Sequence, residues 1–142
     1  MKGPVLAVDH GTKRTGFATT DALRIATRPL EVWSGAGNSQ QLIDRVIALT
    51  LEREATHLIV GYPLHMDGAE GGRAKDVQVF VDALAARLPG VQIVKQDERL
   101  STKSAEALLR EAGYFGDERK ARRDSWSALV ILRDWIESGE PD

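Results

Sequence analysis

The apolar pattern of this 142-residue chain predicts an α/β fold, in which helices flank one mixed five-stranded sheet. Two observations carry the prediction: three strand-like segments follow one another near the amino terminus, and strand-like and helix-like segments alternate after them. Strands close in sequence pair antiparallel, whereas strands joined through a helix pair in parallel by right-handed crossovers. We therefore expect three antiparallel strands and then parallel ones, in a single domain over residues 1–142.

The five strands are short apolar or alternating runs. The first is continuously apolar up to Asp9, and the third alternates apolar and polar residues, as a half-exposed strand does. Strands are expected over residues 5–9, 14–20, 29–33, 57–60 and 91–95.

Four helices are marked by apolar residues three and four positions apart. Asn38 and Ser39 are candidate caps for the first helix, Pro89-Gly90 stops the second, and Gly113 ends the third. The apolar patterns lie over residues 42–51, 77–88 and 105–112, and the last helix is expected from about residue 124 to residue 138.

The composition excludes several classes of protein. The chain has no cysteine, so it forms no disulfide, no thiolate zinc site and no cysteine nucleophile. No apolar run approaches the ~18 residues of a membrane span, and none near the amino terminus has the length of a signal. We therefore expect a soluble cytoplasmic protein. Because the net charge is −2, nucleic acid would have to bind through local basic patches.

Acidic residues stand at two strand ends and at the start of a helix. Asp9 ends the first strand, Glu98 follows the fifth at what we expect to be a neighbouring strand end, and Asp124 begins the last helix. Ligands of open α/β sheets bind at the carboxyl ends of the strands. Hard cations such as Mg²⁺ take oxygen ligands, and two ions about 4 Å apart can promote phosphodiester cleavage. The three carboxylates therefore predict a metal-assisted site for that reaction.

Basic residues lie beside these carboxylates, where they could neutralise substrate phosphates. Two cations follow Asp9 in the first turn, and four more are concentrated directly before Asp124. The candidate substrate-binding residues are Lys13, Arg14, Arg99, Arg119, Lys120, Arg122 and Arg123.

Each of these features also has a structural interpretation. Asp9 can start a turn, Glu98 can form a surface ion pair, and Asp124 can be an ordinary helix cap. The basic run can be a solvated loop. Asp67, in a glycine-rich loop, is interpreted as a turn residue, and Trp126 as a packing residue next to the site.

Five motifs, in order along nearly the whole chain, resemble those of the YqgF (RuvX) family. They are DHGTKRTGFA at residues 9–18, RPL at 28–30, IVGYPLHMDG at 59–68, DERLST at 97–102 and DSWSA at 124–128. Two positions depart from the family pattern: His10 stands where an aromatic or small residue is commoner, and Ser127 replaces a frequent alanine.

This resemblance implies an RNase H-like fold, related to that of the RuvC Holliday junction resolvases. It also implies a nuclease site that uses Mg²⁺ or Mn²⁺, carried onto Asp9, Glu98 and Asp124. The implied role is maturation of the 5′ end of pre-16S rRNA in bacteria, and the alternative is resolution of Holliday junctions. The implied partner is nucleic acid, either RNA or single-stranded or branched DNA, bound by a monomer or a homodimer.

Two other classes stay open at this point. Phosphotransferases of the actin and sugar-kinase type also begin with Asp-x-Gly-Thr and a phosphate-holding hairpin, but they need two such domains around the nucleotide. A nucleic-acid-binding module without catalysis would keep the basic run but would not need the three carboxylates.

Overall fold

A computed structural model describes residues 2–63 and 71–142 of the chain. The elements are β1 (Val5–Asp9), β2 (Arg14–Thr20), β3 (Thr27–Ser34), α1 (Gln40–Glu52), β4 (His57–Tyr62), α2 (Gly72–Arg87), β5 (Gln92–Asp97), α3 (Ser101–Glu111) and α4 (Gly116–Glu137). All five predicted strands and four predicted helices are present. The turn predicted at Asp67 lies outside the described residues.

The five strands form one mixed sheet in the order β3-β2-β1-β4-β5. The pairs β1–β2 and β2–β3 are antiparallel, whereas β1–β4 and β4–β5 are parallel, as predicted. One expectation is wrong: the ends of β1 and β5 are not neighbours, because β4 pairs with both strands and lies between them. A side chain at the end of β5 must therefore cross β4 to reach β1.

The alternation of side chains along the strands builds a separate apolar core on each face of the sheet. In β1, Leu6 and Val8 belong to the core that includes α1 and α2. The residues between them, Val5 and Ala7, belong to the core that includes α4. All four side chains are fully buried. β1 is therefore the middle strand of the sheet and is covered by helices on both faces.

Helix α1 begins as predicted but buries a different set of residues near its end. The Ser39 hydroxyl caps it by accepting a hydrogen bond from the backbone N–H of Leu42 at 3.3 Å. Leu51, the last residue of the apolar pattern that predicted this helix, is 65% exposed, whereas Leu49 is buried. The reason is helical geometry, because Leu49 lies seven residues after Leu42 and shares its face, while Leu51 is turned to the flank.

Helix α4 begins at Gly116, eight residues before the expected start, so the basic run is helical and not a loop. The apolar pattern does not mark these first turns because they carry exposed charged residues. Asp117 and Glu118 in the first turn favour a helix start, and Arg, Lys and Ala are good helix formers. Asp124 is therefore inside the helix, and its interpretation as a cap is wrong. No helix within the described residues is long and apolar enough to cross a membrane.

Candidate active site

The carboxyl edge of the sheet brings Asp9 and Glu98 into contact. Asp9 follows Val5 and Ala7 at two-residue spacing, which directs its side chain to the α4 face. Glu98 lies four residues after Val94, an even number of positions, so the same alternation directs its side chain to the same face. A hydrogen bond joins the two carboxyl groups, although β4 separates their strands.

Gly61 in β4 makes this contact possible. A Cβ atom at Gly61 would lie 2.4 Å from Oε2 of Glu98 and 2.6 Å from Cδ1 of Ile131. Both distances are far below van der Waals contact, so any side chain at Gly61 would occupy the space that the Glu98 carboxyl group uses. The Glu98 side chain therefore crosses β4 over a glycine to reach Asp9.

A second glycine brings α4 to the same place. Gly16 in β2 is the register partner of Asp9. A Cβ atom at Gly16 would lie 2.1 Å from the carbonyl carbon of Asp124. This close approach holds Asp124 beside Asp9, near enough for the charge of Asp124 to raise the pKa of Asp9. Residues from β1, from the end of β5 and from the middle of α4 thus gather at one edge.

The two paired carboxyl groups have raised pKa values. Burial raises the pKa of Asp9 to about 6; the hydrogen bond with Glu98 lowers it in part, and the charge of Asp124 raises it. Burial, and then the negative charge on Asp9, raise the pKa of Glu98 to about 9. Near neutral pH the pair shares one proton, which Glu98 donates to Asp9. A buried carboxyl pair of this kind is stable only with a proton or a cation between its members.

Asp124 forms an ion pair with Arg14 of β2. Nε of Arg14 donates a hydrogen bond to Oδ2 of Asp124 at 3.0 Å. In the part of the chain that the structure describes, no three acidic or histidine side chains stand close enough to form a ready metal cluster. The oxygen donors are those that Mg²⁺ and Mn²⁺ prefer. Ligation by all three residues would require Asp124 to turn away from Arg14.

Arg73, in the first turn of α2, is a further charged residue at this edge. Its guanidinium lowers the pKa of both Asp9 and Glu98. Nη2 of Arg73 donates to the carbonyl oxygen of His10 at 2.8 Å and lies 3.2 Å from His10 Nδ1. His10 Nε2 lies 2.8 Å from the carbonyl oxygen of Gly37, which can only accept, so Nε2 carries the proton and Nδ1 accepts from Arg73.

His10 is neutral in this arrangement, since burial lowers the pKa of its imidazole. No sequence pattern singled out Arg73, because it lies outside the five motifs and follows a glycine pair. Gly16 and Gly61 lie inside two of those motifs, which is the sequence signal that could have identified them. Gly16 is the register partner of Asp9, whereas Gly61 pairs with Gln96 and is approached by the Glu98 side chain from beyond the end of β5.

The candidate substrate-binding residues near the strand ends differ in their surroundings. Lys13 is exposed in the turn between β1 and β2. Arg14 is engaged by Asp124, as described above. Arg99 forms an ion pair with Asp97 at 2.8 Å. The structure thus places Arg14 beside a site carboxylate, leaves Lys13 on an exposed turn and pairs Arg99 with an exposed aspartate.

The other four candidates lie on the first two turns of α4. Arg119 and Lys120 lie one turn before Arg123 and Asp124, so Lys120 shares the helix face of Asp124. The guanidinium of Arg122 lies over the ring of Tyr114, 4.1 Å from its centroid. Arg123 donates to Oε1 of Glu106 in α3 at 3.4 Å. The helix therefore puts Lys120 on the face of Asp124, directs Arg123 towards α3 and directs Arg122 towards Tyr114, which follows α3. Trp126 packs edge-on to Tyr114 with 6.0 Å between ring centroids, as a packing residue does.

Comparison with known sequences identifies the relatives of the chain. A family model described as "RuvX: Holliday junction resolvase" matches residues 3–138. A relative from Anaeromyxobacter sp. (strain Fw109-5) named "Putative pre-16S rRNA nuclease" is 41% identical over 133 residues, which cover 93% of this chain and 95% of that protein. A relative of the same name from Thermobifida fusca (strain YX) is 38% identical and covers 96% of this chain and 88% of that protein.

Solved structures support the fold. T. thermophilus RuvC in complex with a Holliday junction substrate matches with a TM-score of 0.61 at 14% identity, over 97% of each chain. The fowlpox virus Holliday junction resolvase matches with a TM-score of 0.57 at 11% identity, over 95% of this chain and 99% of that one. These similarities confirm the RuvC-related, RNase H-like fold that the sequence motifs implied.

Proposed function

The chain belongs to the RuvX family, and on that premise we propose that it is a nuclease acting in maturation of the 5′ end of pre-16S rRNA. Its site would lie at the carboxyl edge of the sheet, within a single domain over residues 1–142. The observation that carries the proposal is the buried Asp9–Glu98 pair, with Asp124 held beside it by the contact at Gly16. Support for the substrate comes from the name of the relatives that align over nearly their whole length.

Asp9, Glu98 and Asp124 would hold Mg²⁺ or Mn²⁺ through oxygen atoms alone. Two such ions, when bound, activate a water molecule and stabilise the leaving oxygen of a phosphodiester. A bound cation would take the place of the proton shared by Asp9 and Glu98, so metal binding would release that proton to solvent. Arg14 would move from Asp124 to a substrate phosphate, since a guanidinium pairs with either anion.

Lys13, on the exposed turn, and Lys120, one helical turn before Asp124, would bind phosphates on either side of the cut. Arg99, Arg119, Arg122 and Arg123 would extend the basic surface along the strand ends and α4. Such contacts carry no base specificity and weaken as the salt concentration rises.

A cleavage panel tests the proposal. The purified protein is incubated with labelled pre-16S 5′ leader RNA, unstructured RNA, unstructured DNA and a four-way DNA junction, with Mg²⁺, Mn²⁺ or chelator. We expect cleavage of the leader RNA with metal only, and none by the Asp9→Asn variant. Asp82→Asn, which changes an exposed carboxylate on α2, is the matched control and should retain activity. Full cleavage by Asp9→Asn would refute the assignment of the site.

The second candidate function is resolution of Holliday junctions, which the description of the matching family favours. Symmetric cleavage of a four-way junction needs two sites related by a two-fold axis. A homodimer that cuts only the junction in the same panel would support this candidate. A monomer that cuts the RNA leader and leaves the junction intact would support rRNA maturation.

A further inference from the structure

A cleft with a volume of about 520 Å³ opens between α1 and α2, on the sheet face opposite the carboxylates. Its apolar walls include Ile43 of α1 and Phe80 and Ala83 of α2. Its volume falls within the range of about 300–1,000 Å³ that is typical of small-ligand sites in proteins. The reaction proposed above makes no use of this cleft.

The cleft adjoins the candidate active site. His10 lines it and directly follows Asp9 in the chain. Arg73 also lines it, and the charge of Arg73 acts on both buried carboxyl groups. A nucleic acid strand lying across the carboxyl edge of the sheet would therefore have the carboxylates and the cleft next to each other along its path.

The chemistry of the walls fits a nucleobase. The ring of Phe80 is 4% exposed and packs against the His10 ring at an angle of 38°, with 4.4 Å between centroids, so the two rings give the cleft an aromatic wall. Val79, at 69% exposure, is an apolar side chain at the cleft that a planar group could cover. Asn38 adds an amide that can both donate and accept hydrogen bonds.

Among the described residues that line the cleft, the charged groups are one cation and one anion. Nη1 of Arg73 pairs with Oδ2 of Asp76 at 3.2 Å, so these two groups together add little net charge. A fully ionised phosphate would meet the Asp76 carboxylate there, whereas a neutral base with amino and carbonyl groups would not be repelled. These groups favour the base over the phosphate as the occupant.

We propose that the cleft binds one unpaired base, from a nucleotide next to the scissile phosphate of an RNA or DNA strand. This inference rests on the proposed nuclease function. It restricts the substrate of that nuclease to strands whose bases are unpaired beside the cut. A base stacked inside a duplex cannot enter a cleft, because it must first leave the stack. Continuous duplex should therefore be a poor substrate.

The test uses a charge placed at the cleft, with a matched control outside it. Val79→Glu adds a carboxylate at an exposed position that lines the cleft. Ala86→Glu adds the same charge seven residues later, on the same face of α2 and at an exposed position outside the cleft. Thermal melting of both variants checks that the fold is retained.

Cleavage is measured on single-stranded RNA in which one abasic nucleotide is moved through every position around the cut. We expect the wild type to lose roughly tenfold or more in kcat/KM at one position beside the cut, as loss of a bound base implies. Val79→Glu should lose a similar factor on intact RNA and lose nothing more when that position is abasic. Ala86→Glu should behave as the wild type does.

A binding experiment without cleavage separates this inference from the nuclease assignment. Adenosine, adenosine monophosphate and inorganic phosphate are titrated into each protein in chelator, and the amide NMR shifts are followed. We expect both adenosine compounds, but not phosphate, to shift signals of α1 and α2 in wild type and in Ala86→Glu, and not in Val79→Glu.

The outcomes distinguish the two proposals. Base binding in the cleft without any cleavage would refute the nuclease function and leave the base site standing. If kcat/KM were the same at every abasic position, and equal for Val79→Glu and Ala86→Glu, the base site would be overturned and the nuclease function would stand. Shifts caused by phosphate alone would also overturn it.

Discussion

Gly61 contributes to the candidate site because it has no side chain, which leaves space for the Glu98 carboxyl group. The atoms nearest to a Cβ at this position are the ends of two flexible side chains, so the backbone need not move to accommodate an alanine. We expect Gly61→Ala to displace the Glu98 carboxyl group and to lower kcat by about 100-fold, because catalytic groups tolerate little misplacement. The free energy of unfolding should change only on the order of 1 kcal/mol.

Cleavage kinetics and urea denaturation measure the two effects separately. Gly90→Ala is the control, since no atom lies within 4 Å of a Cβ at Gly90 and this exposed position is remote from the carboxylates. Wild-type kcat in Gly61→Ala would contradict a catalytic role for the contact between Glu98 and Asp9.

Ser127 is buried among the apolar residues of α4. It is 1% exposed, and its hydroxyl has no hydrogen-bond partner among the described residues. A buried polar group without a partner costs about 1–3 kcal/mol. We expect Ser127→Ala to increase the free energy of unfolding by about 1 kcal/mol, measured by urea denaturation. A decrease would mean that the hydroxyl has a partner in solution.

The approach of α4 to β2 depends on Gly16. In contrast to Gly61, the nearest atoms to a Cβ at Gly16 are backbone atoms of α4, at 2.1 Å. Relief of this clash must move the helix away from the sheet and disturb the core that includes Ile131 and Trp135. We expect Gly16→Ala to lower the free energy of unfolding by about 3 kcal/mol.

Gly72→Ala, in the first turn of α2, is the matched control, because a Cβ there meets no atom within 4 Å. It should leave stability nearly unchanged in the same denaturation experiment. Equal stability of the two variants would mean that α4 does not rest on Gly16 as described.

The basic first turns of α4 belong to the same element as Asp124. A rigid helix fixes the distance between Lys120 and Asp124 at one turn, whereas a loop would let the cations move independently. The placement of α4 on the sheet therefore sets the geometry of a carboxylate and of nearby cations together.

The protein without metal should lose stability as the pH rises. In the unfolded chain Asp9 and Glu98 ionise near their ordinary pKa values of 3.8 and 4.5, but in the folded protein these values are raised to about 6 and about 9. Between these limits the folded state binds more protons than the unfolded state, so unfolding becomes easier with increasing pH.

The melting temperature in chelator, followed from pH 4 to pH 9, measures this effect. Glu98→Gln keeps a hydrogen bond to Asp9 without an ionisable group, so its melting temperature should fall less over the same range. The difference in stability between the two proteins should reach the order of a few kcal/mol at the alkaline end. Parallel pH profiles would show that the carboxyl pair does not hold a proton.

Local sequence patterns determined most of the fold. Strand alternation, helix periodicity and the Ser39 cap are properties of neighbouring residues, so they can be interpreted before any tertiary contact is known. The same applies to Asp9 and Glu98, because each directly ends or follows a strand. The start of α4 was missed because exposed helical turns have no apolar pattern.

Only the tertiary structure decided how the candidate residues meet. Arg14 and Asp124 form an ion pair although 110 positions separate them, and no spacing along the chain encodes that contact. β4 lies between β1 and β5, so Asp9 and Glu98 are not on adjacent strands. Their side chains can meet because Gly61 in β4 leaves space for the Glu98 carboxyl group. The cleft beside His10 likewise exists only where α1 and α2 pack on one sheet, since a cavity is a property of the space between elements.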